Sequence, residues 1–500
     1  LAVLAVGLDG TVLSVALPTL SKALKASESD LQWFTSIYLL VLAASMLPVG
    51  LLGDRYGKKK VLLISLAFFG LGSAASGYST SVWEFMAARV LMGIAGAGVI
   101  VMAISALTVL FAKEERPKAV GVWSAANFLS LPLGPILGGW LLTHYWWGWV
   151  FLINVPVAVI GLVAGAVLIP ESRSLERPSV DLVGVTSSAA GLVALMYGLI
   201  EAGQHGWSNV VALLFIFVGL VILVGFFGWE RRLTGQPAGE PLLDLALFDS
   251  RSFTWGVILA AFVILSMFGV LFTMPQFFQG VLGTNPIGSG LRLLPMMAGL
   301  VMGAIPAAKL ASRLGSKVVT TAGFVLLAAG LFIGSTTSAR SSSVFIMCWM
   351  ALFGLGIGIA IATSSSAALV ELTEDRSGVG SAVLQAVNKT GAPLGAAILG
   401  SVLSAGYLAH LNLSGLPASA AAAVRQSVFG GVAVAQQLHS TALLASVRSA
   451  FASGMDGALL VSGGIALIGA VLSALFLPQT NVSLQAKHAS TSKEEEPVGI

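Results

Sequence analysis

Apolar runs of eighteen or more residues recur from one end of this chain to the other. A helix needs about 20 such residues to cross the hydrocarbon core of a bilayer. Fourteen segments qualify: 1–20, 31–52, 61–78, 83–110, 118–142, 147–169, 181–201, 207–229, 253–279, 287–311, 316–337, 343–369, 378–407 and 455–478. In lipid every backbone polar group must be satisfied within its own segment or a closed barrel, so runs of this length are read as helices. The chain is 56% hydrophobic and 10% charged, where ordinary globular chains carry about a quarter charged residues. The 500 residues are thus read as an all-α polytopic membrane protein, which excludes a soluble enzyme, a nucleic-acid-binding module and a disordered scaffold. A single cysteine, Cys348, excludes a disulfide framework and a thiolate metal cluster, and five scattered histidines exclude a histidine-rich metal site. The chain opens at Leu1 inside an apolar segment with no basic stretch ahead of it, and is read as trimmed rather than as beginning with a signal peptide.

Cytoplasmic loops carry the excess of Lys and Arg. With the N-terminus inside, eighteen of the 26 basic residues fall in inner loops or the tail, five in outer loops, and Arg89, Arg292 and Lys389 within spans. Both termini are predicted to be cytoplasmic, and the short loops fit a bacterial plasma (inner) membrane. Residues 230–252 read as a linker, 408–454 as a long outer loop with room for a short amphipathic helix, and 479–500 as a disordered tail.

Two stretches repeat. Pro48 to Lys59, containing Asp54-Arg55-Tyr56-Gly57, lines up with Pro306 to Lys317, containing Ser312-Arg313-Leu314-Gly315, at an offset of 258. Asn127 to Gly134 lines up with Asn388 to Gly395, around Pro132 and Pro393, at an offset of 261. Spans 1–6 therefore map onto spans 9–14, in the same orientation, and spans 7 and 8 are left over. This is the parallel-repeat arrangement of a two-bundle transporter, with substrate bound between the bundles near the midplane. The expected organisation is a six-helix bundle over 1–175, an inserted hairpin over 176–232 with its linker to 252, a second six-helix bundle over 253–478, and the tail from 479 to 500.

These residues resemble the major facilitator superfamily and, within it, the fourteen-span drug:proton antiporters. The resemblance runs the length of the chain. Leu8-Asp9-Gly10-Thr11 through Pro18 looks like the family's first-span motif, and Gly53-Asp54-Arg55-Tyr56-Gly57-Lys58-Lys59 its loop 2–3 signature. Arg89 with Gly93, Gly96 and Gly98 is similar to the span-4 motif, and Gly134-Pro135-Ile136-Leu137-Gly138-Gly139 to the span-5 motif associated with exporters. Phe151-Leu152-Ile153-Asn154-Val155-Pro156 and Leu247 to Phe253 resemble further fourteen-span hallmarks. The resemblance implies a multidrug efflux transporter of the major facilitator fold, not an enzyme, driven by the proton gradient without a cofactor.

Asp9 is the leading candidate for proton coupling. An ionised Asp at bilayer depth costs about 2.5–3.5 kcal/mol on insertion scales, so it is disposed to take up a proton. Arg89, two turns into span 4, must be paired if buried, with Asp9, Asn127 or a span-1 carbonyl as partner. A structural role in fixing helix packing is the competing reading for both. Asp54, Arg55, Gly57 and Lys58 are read as gating residues, with Asp54 latching onto the N-terminus of span 13 near Ser377. Gly134, Pro135, Gly138 and Gly139 supply a kink and a flat surface near the outer end of span 5.

Candidate substrate-binding residues are Trp33, Tyr38, Asn127, Met274, Gln276, Gln279, Met296, Gln385, Asn388 and Lys389, because Met, aromatic and neutral polar groups suit a promiscuous apolar site. Each of them is also compatible with plain helix packing. The stretches Leu293 to Leu300 and Ala382 to Asn388 contain no acid, which argues against dicationic substrates. The expected partners are a small lipophilic substrate, protons and the bilayer, without nucleic acid, for a monomer that binds no metal. The absence of a G-x-x-x-x-G-K-[ST] loop argues against an ATP-driven pump. The alternative is a dedicated exporter or importer of one metabolite on the same fold.

Overall fold

The computed structural model describes residues 2–110, 130, 133–171, 181–234, 245–370 and 374–479. Its elements, in chain order, are α1 (Ala2–Leu24), α2 (Glu28–Tyr56), α3 (Lys58–Tyr78), α4 (Val82–Leu110), α5 (133–144), α6 (Trp149–Leu152), α7 (Asn154–Leu168), α8 (Leu182–His205) and α9 (Val210–Thr234). A 3-10 turn, Leu245–Asp249, leads into α10 (Arg251–Gln276), which runs on as a π turn, Phe277–Val281. There follow α11 (Pro286–Arg292), α12 (Leu294–Leu314), α13 (Ser316–Gly334), α14 (Ser343–Val370), α15 (Glu374–His410), α16 (Ala418–Gln426), α17 (Val428–Gln437) and α18 (Thr441–Phe476).

Among the described residues, twelve helices are long and apolar enough to cross a membrane. Two of the fourteen expected spans stand outside that number. One is 31–52, which lies in the 29-residue α2. The other is 118–142, of which only 130 and 133–142 are described.

Local chemistry explains where these helices differ from the apolar runs. A capping box starts α2 early: Ser27 Oγ accepts from the Asp30 amide at 3.2 Å, and Asp30 Oδ2 accepts from the Ser27 amide at 2.8 Å. Span 10 is broken into α11 and α12 at Leu293, just ahead of Pro295, with Asn285 capping α11 through the Gly288 amide at 2.8 Å. Pro275 near the end of α10 offers no amide hydrogen, and the π turn follows directly.

The expected outer loop 408–454 needs correction. It holds two short helices, α16 and α17, and its last third already belongs to α18, which begins at Thr441 behind a Ser440 cap rather than at 455. The linker expected over 230–252 is likewise helical to Thr234, holds the 3-10 turn Leu245–Asp249, and has already entered α10 at Arg251.

Helices α2, α3 and α4 pack together, with α7 on α3 and α1 against α2 and α4. On the other side α10, α12, α13, α14, α15 and α18 pack together. Gly299 and Gly303 of α12 face Gly354 and Gly358 of α14, and a Cβ on Gly303 or Gly358 would meet a backbone carbonyl of the other helix. Small residues one turn apart on both helices let two backbones meet in this way. The hairpin α8–α9 lies over the seam, with α8 touching both α2 and α15. Gly203 of α8 sits on the Ser401 backbone, and Ser401 Oγ donates to the Leu199 carbonyl at 2.5 Å.

The repeat is visible in backbone geometry. Gly57 and Gly315, its counterparts at offset 258, both have positive φ, +114° and +86°. Each ends one helix and lets the next start on the following residue, and each amide bonds back to the residue four before it, Gly53 or Ala311.

Candidate functional site

Asp9 and Arg89 are brought together. Asp9 is 1% and Arg89 0% exposed, and Arg89 Nη1 donates to Asp9 Oδ2 at 2.5 Å. Asn154 of α7 donates from Nδ2 to Asp9 Oδ1 at 3.4 Å and to Ser73 Oγ at 3.1 Å, while Ser73 donates to the Phe151 carbonyl at 2.7 Å. The Arg89 guanidinium lies over the Tyr38 ring, 4.2 Å from its centroid, and Tyr38 donates its hydroxyl to the Val6 carbonyl at 3.2 Å. The Nε and Nη2 groups of Arg89 have no hydrogen-bond partner among the described residues.

The span-4 glycines make this arrangement possible. A Cβ on Gly93 would stand 2.8 Å from the Tyr38 carbonyl oxygen, and one on Gly98 would overlap Ser65 of α3. Glycine at these positions lets α2 and α3 close on α4 from two sides, bringing Tyr38 and Ser73 to the charged pair. A buried ion pair of this kind is costly to break one member at a time, because the other charge is left uncompensated. If Asp9 takes a proton, Arg89 retains the face of Tyr38, an interaction suited to a desolvated cation.

A second cluster joins the two halves of the chain at the end of α1 that carries Leu24. Gly134 and Gly138 of α5 ride on α1: a Cβ on Gly134 would stand 3.0 Å from the Val12 amide nitrogen, and one on Gly138 2.5 Å from Val12 Cγ2. Gly139 faces the other way, and its Cβ would stand 2.7 Å from the Pro286 carbonyl oxygen of α11. The Pro135 carbonyl abuts Gly290, also on α11. Across the same end, Gln279 Nε2 donates to the Val15 carbonyl at 3.0 Å and Gln276 Nε2 to Glu28 Oε1 at 3.1 Å. Gln276 and Gln279 are thus polar fasteners between α10 with its π turn and the first two helices.

Arg55, Gly57 and Lys59 of loop 2–3 make contacts within their own half. Lys59 Nζ donates to the Ala166 carbonyl of α7 at 2.7 Å, Gly57 abuts Glu171, and Arg55 lies over the Tyr56 ring with Cζ 5.6 Å from its centroid. Lys58 is half-buried beside them. The side chains of Asp54 and of the residues around Ser377, in the first turns of α15, lie outside the described residues, as does Asn127.

The remaining substrate candidates divide. Trp33 packs with Met196 and Ile200 of α8 at the hairpin seam. Tyr38 belongs to the charged pair. Met274 and Met296 are fully buried in the main apolar cluster. Gln385, Asn388 and Lys389, on one stretch of α15, are partly exposed, and Asn388 Oδ1 is unpartnered among the described residues. Asp9 is also not the only acid within a span. With α18 beginning at Thr441, Asp456 falls in its interior, half-buried, with Oδ1 lacking a partner among the described residues.

Neither Ser73 nor Glu28 is among the candidates that the sequence offers, and Asn154 stands out only as part of a motif. The signal available was a polar side chain interrupting or abutting an apolar run, which does not say which helix it will face.

The chain matches the model of the Major Facilitator Superfamily over residues 1–396. It is 34% identical to the tetracenomycin C resistance and export protein of Streptomyces glaucescens, covering 94% of this chain and 89% of that protein. It is 31% identical to the multidrug efflux pump LfrA of Mycolicibacterium smegmatis, covering 94% of each. With the methyl viologen resistance protein SmvA of Salmonella typhimurium it shares 32% identity over 93% of this chain and 94% of that one. In fold it is similar to a bacterial homologue of the lysosomal transporter Spinster, at TM-score 0.68 and 16% identity over 95% of both chains. It is also similar to the xylose transporter XylE of E. coli, at TM-score 0.59 and 15% identity over 98% and 97%.

Proposed function

From the premise that this chain belongs to the major facilitator superfamily, we propose that it exports lipophilic drugs or antibiotics from the cytoplasm in exchange for protons, by alternating access. The observation that carries the reading is the Asp9–Arg89 pair, buried in the first half of the chain with Asn154 and Tyr38 arranged around it. A carboxylate bound to a guanidinium is one state; a protonated Asp9, with Arg89 held on Tyr38, is the other. In the described arrangement the pair is closed to water, so the reading requires a second arrangement in which water reaches Asp9. The cluster of Gly139, Gly290, Gln276 and Gln279 holds the halves together at one end, as alternating access requires of one end at a time. By the basic-residue asymmetry that end faces outward, both termini are cytoplasmic, and the chain works as a monomer in a bacterial plasma membrane. The relatives support export, since their names record tetracenomycin C export, multidrug efflux and methyl viologen resistance.

Methyl viologen is a dication, yet the acid-free stretches Leu293–Leu300 and Ala382–Asn388 and the partly exposed Lys389 favour neutral, zwitterionic or monocationic substrates here. A dedicated exporter of one metabolite is the second reading, favoured by the relative named for tetracenomycin C alone. Efflux of ethidium, tetracycline and a neutral antibiotic, from cells lacking their own pumps and with or without an uncoupler, separates the two. Export of several of these, stopped by the uncoupler, supports the first reading. In inside-out vesicles, Asp9→Asn should abolish drug uptake driven by the pH gradient; full uptake in that variant would end the coupling role.

A further inference from the structure

Glu28, the first residue of α2, is a carboxyl group shut into the seam between the halves of the chain with no cation beside it among the described residues. It is 5% exposed. Its Oε1 accepts from Gln276 Nε2, which also donates to the Phe272 carbonyl at 3.2 Å. One turn along α2, Gln32 is fully buried, and among the described residues neither its amide nitrogen nor its amide oxygen has a partner. The Gln276 amide oxygen is unpartnered as well. Gln32 is held against the opposite half: a Cβ on Gly400 of α15 would stand 2.8 Å from Gln32 Cδ and 3.0 Å from the Phe272 ring of α10. Leu31, Phe34, Phe272 and Met274 form the apolar surroundings. A polar knot of one acid and two amides therefore sits where α2, α10 and α15 meet.

The surrounding charges do not compensate this carboxyl. On its own helix, Asp30 is engaged with Ser27 in the cap. Tyr407 of α15 gives its hydroxyl to the carbonyls of Val424 and Ser427, and His410 is turned to the Gly406 carbonyl. On α4, Glu84 bonds Thr80 and Arg89 is committed to Asp9. On α8, His205 and Glu201 pair with each other. Lys22 and Lys25 at the end of α1 are exposed, and Arg448 of α18 lies against Gly283, beyond the π turn. A charge removed from water without a partner is expensive, and the usual outcome is that the group becomes neutral. The hydrogen-bond inventory points the same way. Among the described residues two amide oxygens, on Gln32 and Gln276, lack a donor and one amide nitrogen, on Gln32, lacks an acceptor; an ionised carboxylate can serve only the nitrogen, whereas a protonated one offers both an O–H and a carbonyl oxygen. A protonated Glu28 brings an O–H to a knot that is short of donors to those oxygens.

We propose that Glu28 is a second proton-binding site, belonging to the seal between the halves and not to the exchange. It holds a proton while α2, α10 and α15 are closed over it, and returns that proton to the same side when they part. The proton is taken from and given back to one compartment, so none crosses the membrane through this residue. Acid on that side stabilises the sealed arrangement, and alkali loosens it. The proposal rests on the export reading only in calling that side the outer one.

The test uses the full chain in lipid, spin-labelled at Lys22→Cys and Ser419→Cys in a Cys348→Ser background. These exposed positions lie on α1 and α16, on opposite sides of the seam. Pulsed-resonance distances read the sealed and parted populations as pH is varied. With Glu28 native, the short distance should gain population as pH falls. In Glu28→Gln, a neutral isostere that can donate, the short distance should dominate throughout and its titration be lost. A titration that persists unchanged in Glu28→Gln overturns the proposal. Asp9→Asn separates the two readings. If the distance titration vanishes there and survives in Glu28→Gln, the seal site is wrong and the exchange scheme stands. If Asp9→Asn still couples drug movement to the pH gradient while Glu28→Gln abolishes the distance titration, the exchange scheme falls and the seal site stands. Should Glu28→Gln fail to fold, infrared difference spectra of Asp9→Asn on a pH step supply the readout. A protonated-carboxyl band that shifts in Asp9→Asn with Glu28→Asp supports the site, and a band that does not shift overturns it.

Discussion

Gly139 meets Ile287 across the boundary between the two halves, so closely that a Cβ on Gly139 would stand 2.8 Å from the Ile287 Cα. The neighbouring contact is built the same way, with the Pro135 carbonyl laid on Gly290. Two helices touching backbone to backbone make a seal that is tight when closed and has few side chains to disentangle when it opens. Overpacking of such a site costs about 1–3 kcal/mol, where every 1.4 kcal/mol is about a tenfold change in population. Gly139→Leu should therefore insert normally yet lose about tenfold or more of its efflux rate, with the sealed population falling in parallel. Unchanged efflux at equal surface expression would show that this contact does not gate transport.

Asp9 and Arg89 should be far more sensitive singly than together. Removing one member of a buried pair costs about 3–5 kcal/mol, because a bare charge remains, while replacing both can be nearly neutral. Thermal unfolding of purified protein should thus rank Asp9→Asn and Arg89→Gln well below the native chain, with the double variant recovering much of the loss. Additive losses would mean that the two charges are not coupled energetically.

Asn154 connects the pair to α3. Its amide serves both Asp9 and Ser73, so Asn154→Leu strands acceptors on two helices at about 1–3 kcal/mol each. A lower melting temperature is expected, together with a displaced pH profile of transport, since the carboxylate loses a donor. A variant that melts lower with an unmoved pH profile would restrict Asn154 to scaffolding.

Much of this architecture is legible in the sequence because lipid leaves the backbone few options. The apolar runs mark most helices, and the Pro48/Pro306 repeat marks the point where Gly57 and Gly315 share a left-handed turn. What the runs hide is helix outside the hydrocarbon. Ser27 and Asp30 extend α2, and the stretch from Thr441 to Gly454 reads as a loop because Arg448 and its small neighbours are not apolar, although Ala-rich sequence propagates helix well. The charged pair is half legible. Asp9 and Arg89 announce themselves as charges inside spans, whereas Ser73, Glu28 and Gln32 are ordinary polar residues until tertiary packing decides what they face. Tyr38 and Trp33 look alike as aromatic candidates on span 2. Only helix rotation sends one under a guanidinium and the other to the hairpin seam.

Gly57 and Gly315 allow the repeat to be tested through the backbone. Both turn at positive φ, +114° and +86°, where a Cβ is strained at a cost of about 1–3 kcal/mol. Alanine at either position should lower the melting temperature. The losses should be similar, because the contact that a Cβ at Gly57 makes is with the carboxylate end of the exposed Glu171 side chain, which can swing aside. Alanine at one position melting far below alanine at the other would show that backbone strain is not what the two copies have in common at this turn.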